Sequence, residues 1–265
     1  MVIKAIIFDF DDTLAVERAS AEEAMMITCK KVRQKYDVDP QELYDNVWEK
    51  ARELWHNSSP VRQYCVNVAI SSWEGLWGRF DGEDENLKIL RSWTPTYRKQ
   101  AWHNTLLESG IDDPDFAEYL SLGFQKQRQK IHNVFSDAEP ALVKLRKNYK
   151  LALVTNGASD LQREKIQGSG LAKYFDEIVI AGDVGIRKPE PQIFNVVLSK
   201  IGMQHDEAIM VGNALDSDII GAQEAGIKTV WLNRKKEENQ SEIKPDYEIN
   251  SINKLEFILN DLVKI

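Results

Sequence analysis

Acidic side chains follow a short apolar segment at the start of the chain. Residues 2–8 are mostly apolar and rich in β-branched types, and Asp9, Asp11 and Asp12 come directly after them. A continuous apolar run predicts a strand that is covered on both faces, as in a parallel sheet. In extended backbone Asp9 and Asp11 project to the same side, and two close carboxylates favour a cation or a shared proton between them. An acidic turn that caps a helix is the alternative for this segment alone.

A second polar segment, Thr155-Asn156-Gly157, ends the apolar run 149–154. It offers a hydroxyl, an amide and main-chain N–H groups, which are suitable donors for phosphate oxygens. A plain strand-to-helix turn explains the segment equally well when it is considered by itself, because Asn-Gly is a common turn pair.

Two further segments carry a cation and oxygen ligands. Lys188 precedes Pro189, whose ring restricts the lysine backbone and suits the start of a helix. Asn213 and Asp218 follow the apolar run 208–211, and such oxygen ligands suit Mg²⁺. The alternative for the Lys188 segment is a basic pair exposed to solvent. The alternative for the segment of Asn213 and Asp218 is an ordinary helix N-terminus. Four such segments together nevertheless predict one shared site, because the carboxyl ends of parallel strands meet at one edge of the sheet.

The rest of the chain indicates which elements position these residues. From residue 133 onward apolar runs alternate with helical patterns, which predicts a doubly wound parallel sheet of Rossmann type in an α/β core. Residues 15–132 instead show long amphipathic helical patterns, with Ser20 and Glu23 spaced as a capping box. We therefore expect a catalytic core of residues 1–14 and 133–265, interrupted by an all-helical cap domain of residues 15–132. Strands are expected at 149–154, 177–181, 208–211, 228–232 and 247–249, and helices at 189–201 and 218–225.

Composition narrows the classes of partner. The chain has 265 residues and a formal net charge of −8, with no basic run, so neither nucleic acid nor an anionic membrane is an expected partner. No apolar run reaches the length of a membrane span. The two cysteines, Cys29 and Cys65, show no metal-binding spacing, and a reducing cytoplasm is the expected location. The oligomeric state stays open.

The four segments, taken in order, resemble a known family. FDFDDTL, VTNG, GIRKPEP and VGNALDSDIIGA are similar to the four signature motifs of the haloacid dehalogenase-like superfamily. The following AQEAGIKTVWL also resembles the usual sequence after the fourth motif. The resemblance covers residues 1–14 and 133–232, and the cap segment carries no matching motif.

The resemblance implies Mg²⁺-dependent hydrolysis of a small-molecule phosphate monoester, and hence a small phosphorylated metabolite as partner. Asp9 would be the nucleophile that becomes an aspartyl-phosphate, and Asp11 would act first as general acid and then as general base. Thr155 and Asn156 would bind the phosphoryl group. Lys188 would offset the negative charge of Asp9 and of the phosphate.

The metal ligands implied by the resemblance are Asp9, the main-chain carbonyl of Asp11, and Asn213 and Asp218 of the fourth motif. That motif usually opens with Gly-Asp, whereas this chain has Gly212-Asn213. An amide oxygen can ligate Mg²⁺ but brings no charge, so we expect weaker magnesium affinity or a larger contribution from Asp218.

Three alternatives remain at this stage. A 2-haloacid dehalogenase would use the same nucleophile on carbon without a metal, although family dehalogenases lack an acid at the position of Asp11. A phosphotransferase of the same superfamily would share the first step. A non-catalytic binding relic is disfavoured, because Asp9, Asp11, Thr155 and Lys188 are all retained. The substrate itself does not follow from the sequence.

Overall fold

Six parallel strands form one sheet in the computed structural model of the chain, which describes residues 2–263. Their order is β3-β2-β1-β4-β5-β6, and every neighbouring pair is parallel. The order reverses between β1 and β4, which is the point where open α/β sheets bind ligands at the carboxyl edge. This confirms the predicted doubly wound, Rossmann-like α/β fold. The strands are β1 (Ala5–Phe8), β2 (Lys150–Thr155), β3 (Glu177–Ile180), β4 (Ala208–Gly212), β5 (Lys228–Leu232) and β6 (Tyr247–Ile249).

Twelve α-helices connect or flank these strands within the described range. The first six are α1 (Glu17–Cys29), α2 (Pro40–Ser58), α3 (Arg62–Val68), α4 (Ser72–Gly75), α5 (Glu85–Glu108) and α6 (Pro114–Arg128). The others are α7 (Ala138–Leu145), α8 (Ser159–Gly168), α9 (Ala181–Val184), α10 (Pro191–Ile201), α11 (Ile220–Glu224) and α12 (Leu255–Val263). A π-helical turn, Leu215–Ile219, precedes α11, so the helix predicted from residue 218 has a wider first turn than expected. Across residues 2–263, no helix combines the length and the apolar character that crossing a membrane demands.

The chain separates into two compact units. The α/β unit comprises residues 2–17, 133–157 and 169–263 of the described range, and the helical unit comprises residues 18–132 and 158–168. The sequence prediction assigned residues 158–168, which contain α8, to the core. In the structure, Ala158 and Leu161 belong to the hydrophobic core of the helical unit, and Glu164 pairs with Arg79 at 3.2 Å. The functional division into a catalytic core and a cap stays a prediction.

The apolar core of the α/β unit lies on the faces of the sheet. All four residues of β1 are buried, as expected for a strand covered on both sides. Helix α10 packs against β2 and β3 with Ile193, Phe194 and Val197 turned inward. The parallel pairing of β1 with β2 and with β4 fixes the register of these central strands up to their carboxyl ends.

Aromatic side chains fill the interior of the helical unit, where α2 packs on α5 and α5 on α6. Trp77 and Trp102 are fully buried. The Trp55, Trp93 and Tyr97 rings form a cluster with centroid separations of 5.0–5.5 Å. The tryptophans of this segment therefore act mainly as core residues.

The predicted capping box at Ser20 and Glu23 is wrong. Helix α1 begins at Glu17, so Ser20 lies inside the helix and is buried there. The main-chain N–H of Glu17 donates to Oδ1 of Asp12 at 3.1 Å. Asp12 takes a left-handed conformation, with φ of 57°. Its carboxylate, five residues before Glu17, therefore accepts one of the N–H groups that the first helical turn leaves without a main-chain partner.

Candidate active site

Asp9 lies at the carboxyl edge of the sheet, immediately after β1. Its N–H donates to the carbonyl of Val211 in β4 at 3.0 Å, which extends the strand pairing by one residue. Only 6% of the residue is exposed. The position therefore fixes the backbone of Asp9 at the switch point of the sheet, while its carboxylate faces the edge.

Lys188 is the buried cation of this edge. Its Nζ lies 2.6 Å from Oδ1 of Asp9 and 2.7 Å from Oδ1 of Asp218. The exposed fractions of Lys188 and Asp218 are 2% and 1%. One ammonium thus bridges two carboxylates that are separated from it by 179 and 30 residues in the sequence. Charge-assisted hydrogen bonds of this length in a water-poor setting are strong and directional.

Asn156 holds the main chain of Lys188. Its Nδ2 donates to the Lys188 carbonyl at 3.0 Å, and its Oδ1 accepts the Lys188 N–H at 2.8 Å. The sequence prediction gave Asn156 a part in phosphate binding. The structure shows that both polar atoms of its side chain fix the backbone that carries the buried Lys188 cation.

The electrostatics of the cluster follow from burial. Burial raises the pKa of Asp9 to about 7, and the charges of Asp218 and Asp11 add to the rise, whereas Lys188 opposes it. Burial by itself lowers the pKa of Lys188, but the charges of Asp218 and Asp9 raise it above its usual value. Lys188 therefore stays protonated, and a positive charge beside Asp9 in addition to Lys188 would favour its carboxylate form at neutral pH.

Asp218 is held from both sides. Its Oδ2 accepts the N–H of Ala214 at 3.0 Å, and its Oδ1 accepts from Ser217 Oγ at 3.4 Å as well as from Lys188. A Cβ at position 212 would lie 2.3 Å from Oδ2 of Asp218, so only glycine allows this approach. Sequence reasoning assigned Asp218 to the metal, and did not foresee that its contacts go to Lys188.

Asn213 lies at the end of β4 and faces the loop after β1. Its Oδ1 accepts a hydrogen bond from Thr13 Oγ1 at 3.0 Å, and its carbonyl accepts from Nε1 of Trp231 at 2.9 Å. The side-chain amide and the main chain of Asn213 are therefore both anchored. Neither Thr13 nor Trp231 was identified from the sequence, because neither contact follows a spacing rule.

Thr155 and Asp11 lie at the same edge. Thr155 ends β2, the neighbour of β1, and is buried, with Oγ1 donating to the carbonyl of Asn156 at 3.3 Å. Asp11 is half-buried in the loop after β1. That loop is tight, because Leu14 and Ala15 both donate to the carbonyl of Phe10, at 2.9 and 3.0 Å.

The donor set for a metal ion consists of oxygen atoms. Among residues 2–263, no three His, Cys, Asp or Glu side chains lie close enough together to hold a metal by themselves. The predicted set differs from such a cluster because it includes an amide, Asn213, and a main-chain carbonyl, that of Asp11. A hard cation that keeps several water ligands, such as Mg²⁺, fits this chemistry.

Comparisons with known proteins agree with the geometry. The family profile described as haloacid dehalogenase-like hydrolase matches residues 3–226. Phosphoserine phosphatase of Thermus thermophilus is 32% identical over 255 residues, covering 94% of this chain and 96% of that protein. Pyrimidine 5'-nucleotidase YjjG of Escherichia coli is 38% identical over 194 residues, covering 73% of this chain and 75% of that one.

Solved structures show the same fold. The magnesium-bound structure of the HAD-hydrolase YfnB from Bacillus subtilis superposes with a TM-score of 0.66. The identity is 23%, and the match covers 98% of this chain and 100% of YfnB. At this identity the likeness shows the fold alone.

Proposed function

Because the chain belongs to the haloacid dehalogenase-like hydrolases and is a phosphatase of that family, we propose that it hydrolyses a small phosphate monoester with Mg²⁺ through an aspartyl-phosphate on Asp9. The named relatives act on phosphoserine and on pyrimidine 5'-nucleotides, as their names state. Those substrates are small and differ widely, so they support the class of substrate and not one compound.

The observation that carries the proposal is the buried contact of Lys188 with Asp9 at 2.6 Å. An anionic carboxylate that approaches an anionic phosphate meets repulsion of about 4 kcal/mol per charge pair at 4 Å and an effective dielectric near 20. A buried cation held on the nucleophile lowers this repulsion before the substrate arrives. Any buried carboxylate needs a cationic partner, but a pair placed at the ligand-binding edge of the sheet also suits a nucleophile.

In the proposed first step, Oδ2 of Asp9 attacks phosphorus while the bond from phosphorus to the ester oxygen breaks. Lys188 occupies Oδ1 and no described residue donates to Oδ2, which leaves that oxygen for the attack. Asp11 gives its proton to the departing oxygen, which leaves as an alcohol. Thr155 hydrogen-bonds the transferred phosphoryl group. Asn156 contributes indirectly, because its two hydrogen bonds hold the backbone of Lys188.

In the second step, Asp11 accepts a proton from a water molecule that attacks the aspartyl-phosphate. The bond between Asp9 and phosphorus breaks, which restores the carboxylate and releases inorganic phosphate. Asp11 is then protonated again, ready for the next leaving group. The same side chain serves as acid and as base because the two steps transfer its proton in opposite directions.

The proposed Mg²⁺ ligands are Asp9, the main-chain carbonyl of Asp11 and Asn213. When bound, the ion supplies positive charge to the nucleophile and the phosphate oxygens. Asp218 remains part of the site, but its contacts with Lys188 and Ala214 favour a role in holding the lysine.

The test is turnover of p-nitrophenyl phosphate with and without millimolar Mg²⁺, in the wild type and in Asp9→Asn. Asp216→Asn is the matched control, because Asp216 is an exposed aspartate beside the site. We expect Mg²⁺-dependent release that Asp9→Asn abolishes and Asp216→Asn preserves, together with hydroxylamine-labile phosphate on Asp9. Turnover that survives Asp9→Asn, or halide release from 2-chloropropionate in place of phosphate release, would contradict the proposal.

A further inference from the structure

Arg234 follows β5 at the same carboxyl edge and lies outside every motif described above. Its Nε and Nη2 donate to the main-chain carbonyl of Thr13 at 3.2 and 2.9 Å. Its Nη1 and Nη2 also donate to Asp137, at 3.1 and 3.0 Å. The guanidinium therefore spans two chain segments that are 221 and 97 residues away in sequence.

The guanidinium is itself immobilised. Asp137 is fixed by Ser251 Oγ at 2.6 Å and by the N–H of Ile252 at 3.1 Å. The Arg234 Cζ lies 3.7 Å from the centroid of the Phe135 ring, in a cation–π contact. Only 15% of the arginine side chain is exposed. Four hydrogen bonds to two partners and one ring contact thus give the side chain a single orientation.

Thr13 connects Arg234 to the candidate metal ligands. Its carbonyl accepts from Arg234, and its hydroxyl donates to Oδ1 of Asn213 at 3.0 Å. Thr13 is fully buried and lies four residues after Asp9. The position of its backbone therefore sets both the course of the loop after β1 and the hydrogen bond received by the Asn213 amide.

We infer that Arg234 is a positioning residue for the phosphatase reaction, which fixes the loop of Thr13 and thereby orients the Asn213 amide towards the metal. The inference rests on the proposed function. It has a particular reason in this chain, because a carboxylate offers two equivalent oxygens whereas an amide offers one. Rotation of Asn213 by half a turn would present its NH₂ group to the cation.

Lysine cannot replace Arg234 in this geometry. The planar fork of arginine donates to the Thr13 carbonyl and to both carboxylate oxygens of Asp137 at the same time. A lysine ammonium keeps the charge but cannot reproduce these directions. Charge and geometry can therefore be separated by substitution.

The experiment compares Arg234→Met and Arg234→Lys with the wild type and with the control Lys235→Met. Lys235 is adjacent, its side chain is 75% exposed, and its ion pair with Glu237 is long at 3.7 Å. Mg²⁺ binding to the substrate-free protein is measured by calorimetry. The values of kcat and KM are measured with p-nitrophenyl phosphate, and Tm is measured by circular dichroism. Methionine preserves the packing over Phe135.

We expect Arg234→Met to weaken Mg²⁺ binding about tenfold, as partners of metal ligands commonly do when removed. The value of kcat at limiting Mg²⁺ should fall with it, whereas KM changes little. The Mg²⁺ affinity and kcat of Arg234→Lys should be close to those of Arg234→Met, and both values for Lys235→Met should match the wild type.

Wild-type Mg²⁺ affinity in a folded Arg234→Met protein would overturn the inference. A lower Tm with unchanged Mg²⁺ affinity and unchanged kcat would overturn it as well. If Arg234→Met does not fold, Arg234→Lys decides in the same way, because it preserves the charge. If the wild type turns over p-nitrophenyl phosphate and the Arg234 variants are unaffected, this inference fails and the proposed function stands. A wild type that neither binds Mg²⁺ nor releases phosphate defeats the proposed function, and the inference falls with it.

Discussion

Replacing Lys188 with methionine would leave two buried carboxylates, those of Asp9 and Asp218, without their shared cation. Methionine has a similar length and leaves no large cavity, so the effect is mainly electrostatic. Removal of one partner from a buried ion pair typically costs about 3–5 kcal/mol in the free energy of unfolding. Because this lysine serves two carboxylates, we expect a loss near the upper end of that range in metal-free buffer above pH 7.

The loss should depend on pH in a defined direction. The folded-state pKa of Asp9 is already raised to about 7, chiefly by burial. A group with a raised folded pKa adds stability that is fully present below its unfolded pKa and lost as pH rises through the folded value. Without Lys188 that pKa rises further, so the destabilisation by Lys188→Met should be smaller at pH 5.5 than at pH 8.5.

The assay is urea unfolding in EDTA at several pH values. The control is Lys200→Met, which breaks an exposed pair with Glu177 and should cost about 0–1 kcal/mol. Adding Asp218→Asn to Lys188→Met removes one stranded charge and should restore roughly 2 kcal/mol. Turnover by Lys188→Met should fall by about 10²–10³, as when a charge-stabilising donor is lost.

The reasoning would be refuted if Lys188→Met cost no more than Lys200→Met, or if its cost were the same at pH 5.5 and pH 8.5. A double variant less stable than Lys188→Met would refute the assignment of Asp218 as a partner of the lysine.

Two further predictions concern charges at the same edge. Asn213→Asp should bind Mg²⁺ about tenfold more tightly, because it adds a charged ligand. Without metal it should be less stable, because it adds a negative charge at the sheet edge that already carries Asp9. Calorimetry and urea unfolding, with Asn148→Asp as the surface control, would test both effects. Burial of Asp137 raises its pKa, but the hydrogen bonds from Arg234 and Ser251 lower the pKa by more than burial raises it. The net pKa is therefore below its usual 3.8. Asp137 therefore adds stability above about pH 4 that is lost as pH falls through its folded pKa; the unfolding free energy of Asp137→Asn should change less than that of the wild type between pH 5 and pH 3.

The sequence was sufficient to predict the sheet and part of the site. Apolar runs that end in polar residues predict buried parallel strands, and the carboxyl ends of such strands share one edge. Asp9 and Lys188, 179 residues apart, therefore came from separate motifs and are found in contact. The strands observed at Lys150–Thr155, Lys228–Leu232 and Tyr247–Ile249 agree with the predicted ones to within one residue.

What the sequence did not predict depends on side-chain direction. The turn at Leu215–Ile219 is π-helical, and it directs Asp218 at Lys188, a detail that no spacing rule contains. Arg234 was not identified from the sequence, because its partners, Thr13 and Asp137, are distant in sequence. The start of α1 was misplaced because its first turn is capped by Asp12, five residues before Glu17, and not by a box of residues three apart.

The membership of α8 in the helical unit bears on how separable the two units are. The chain passes between them four times, after residues 17, 132, 157 and 168, and not twice as a simple insertion would. Excision of residues 15–132 would expose Ala158 and Leu161, which are now buried, and would deprive Lys165 of its contact with Glu74 at 3.5 Å. A transplant of this helical unit onto another α/β scaffold must therefore carry residues 158–168 with it, and these begin immediately after the Thr155-Asn156-Gly157 turn. The helical unit thus contains a segment that is joined directly to this part of the candidate site, so that exchange of the unit in an engineered protein constrains the turn as well.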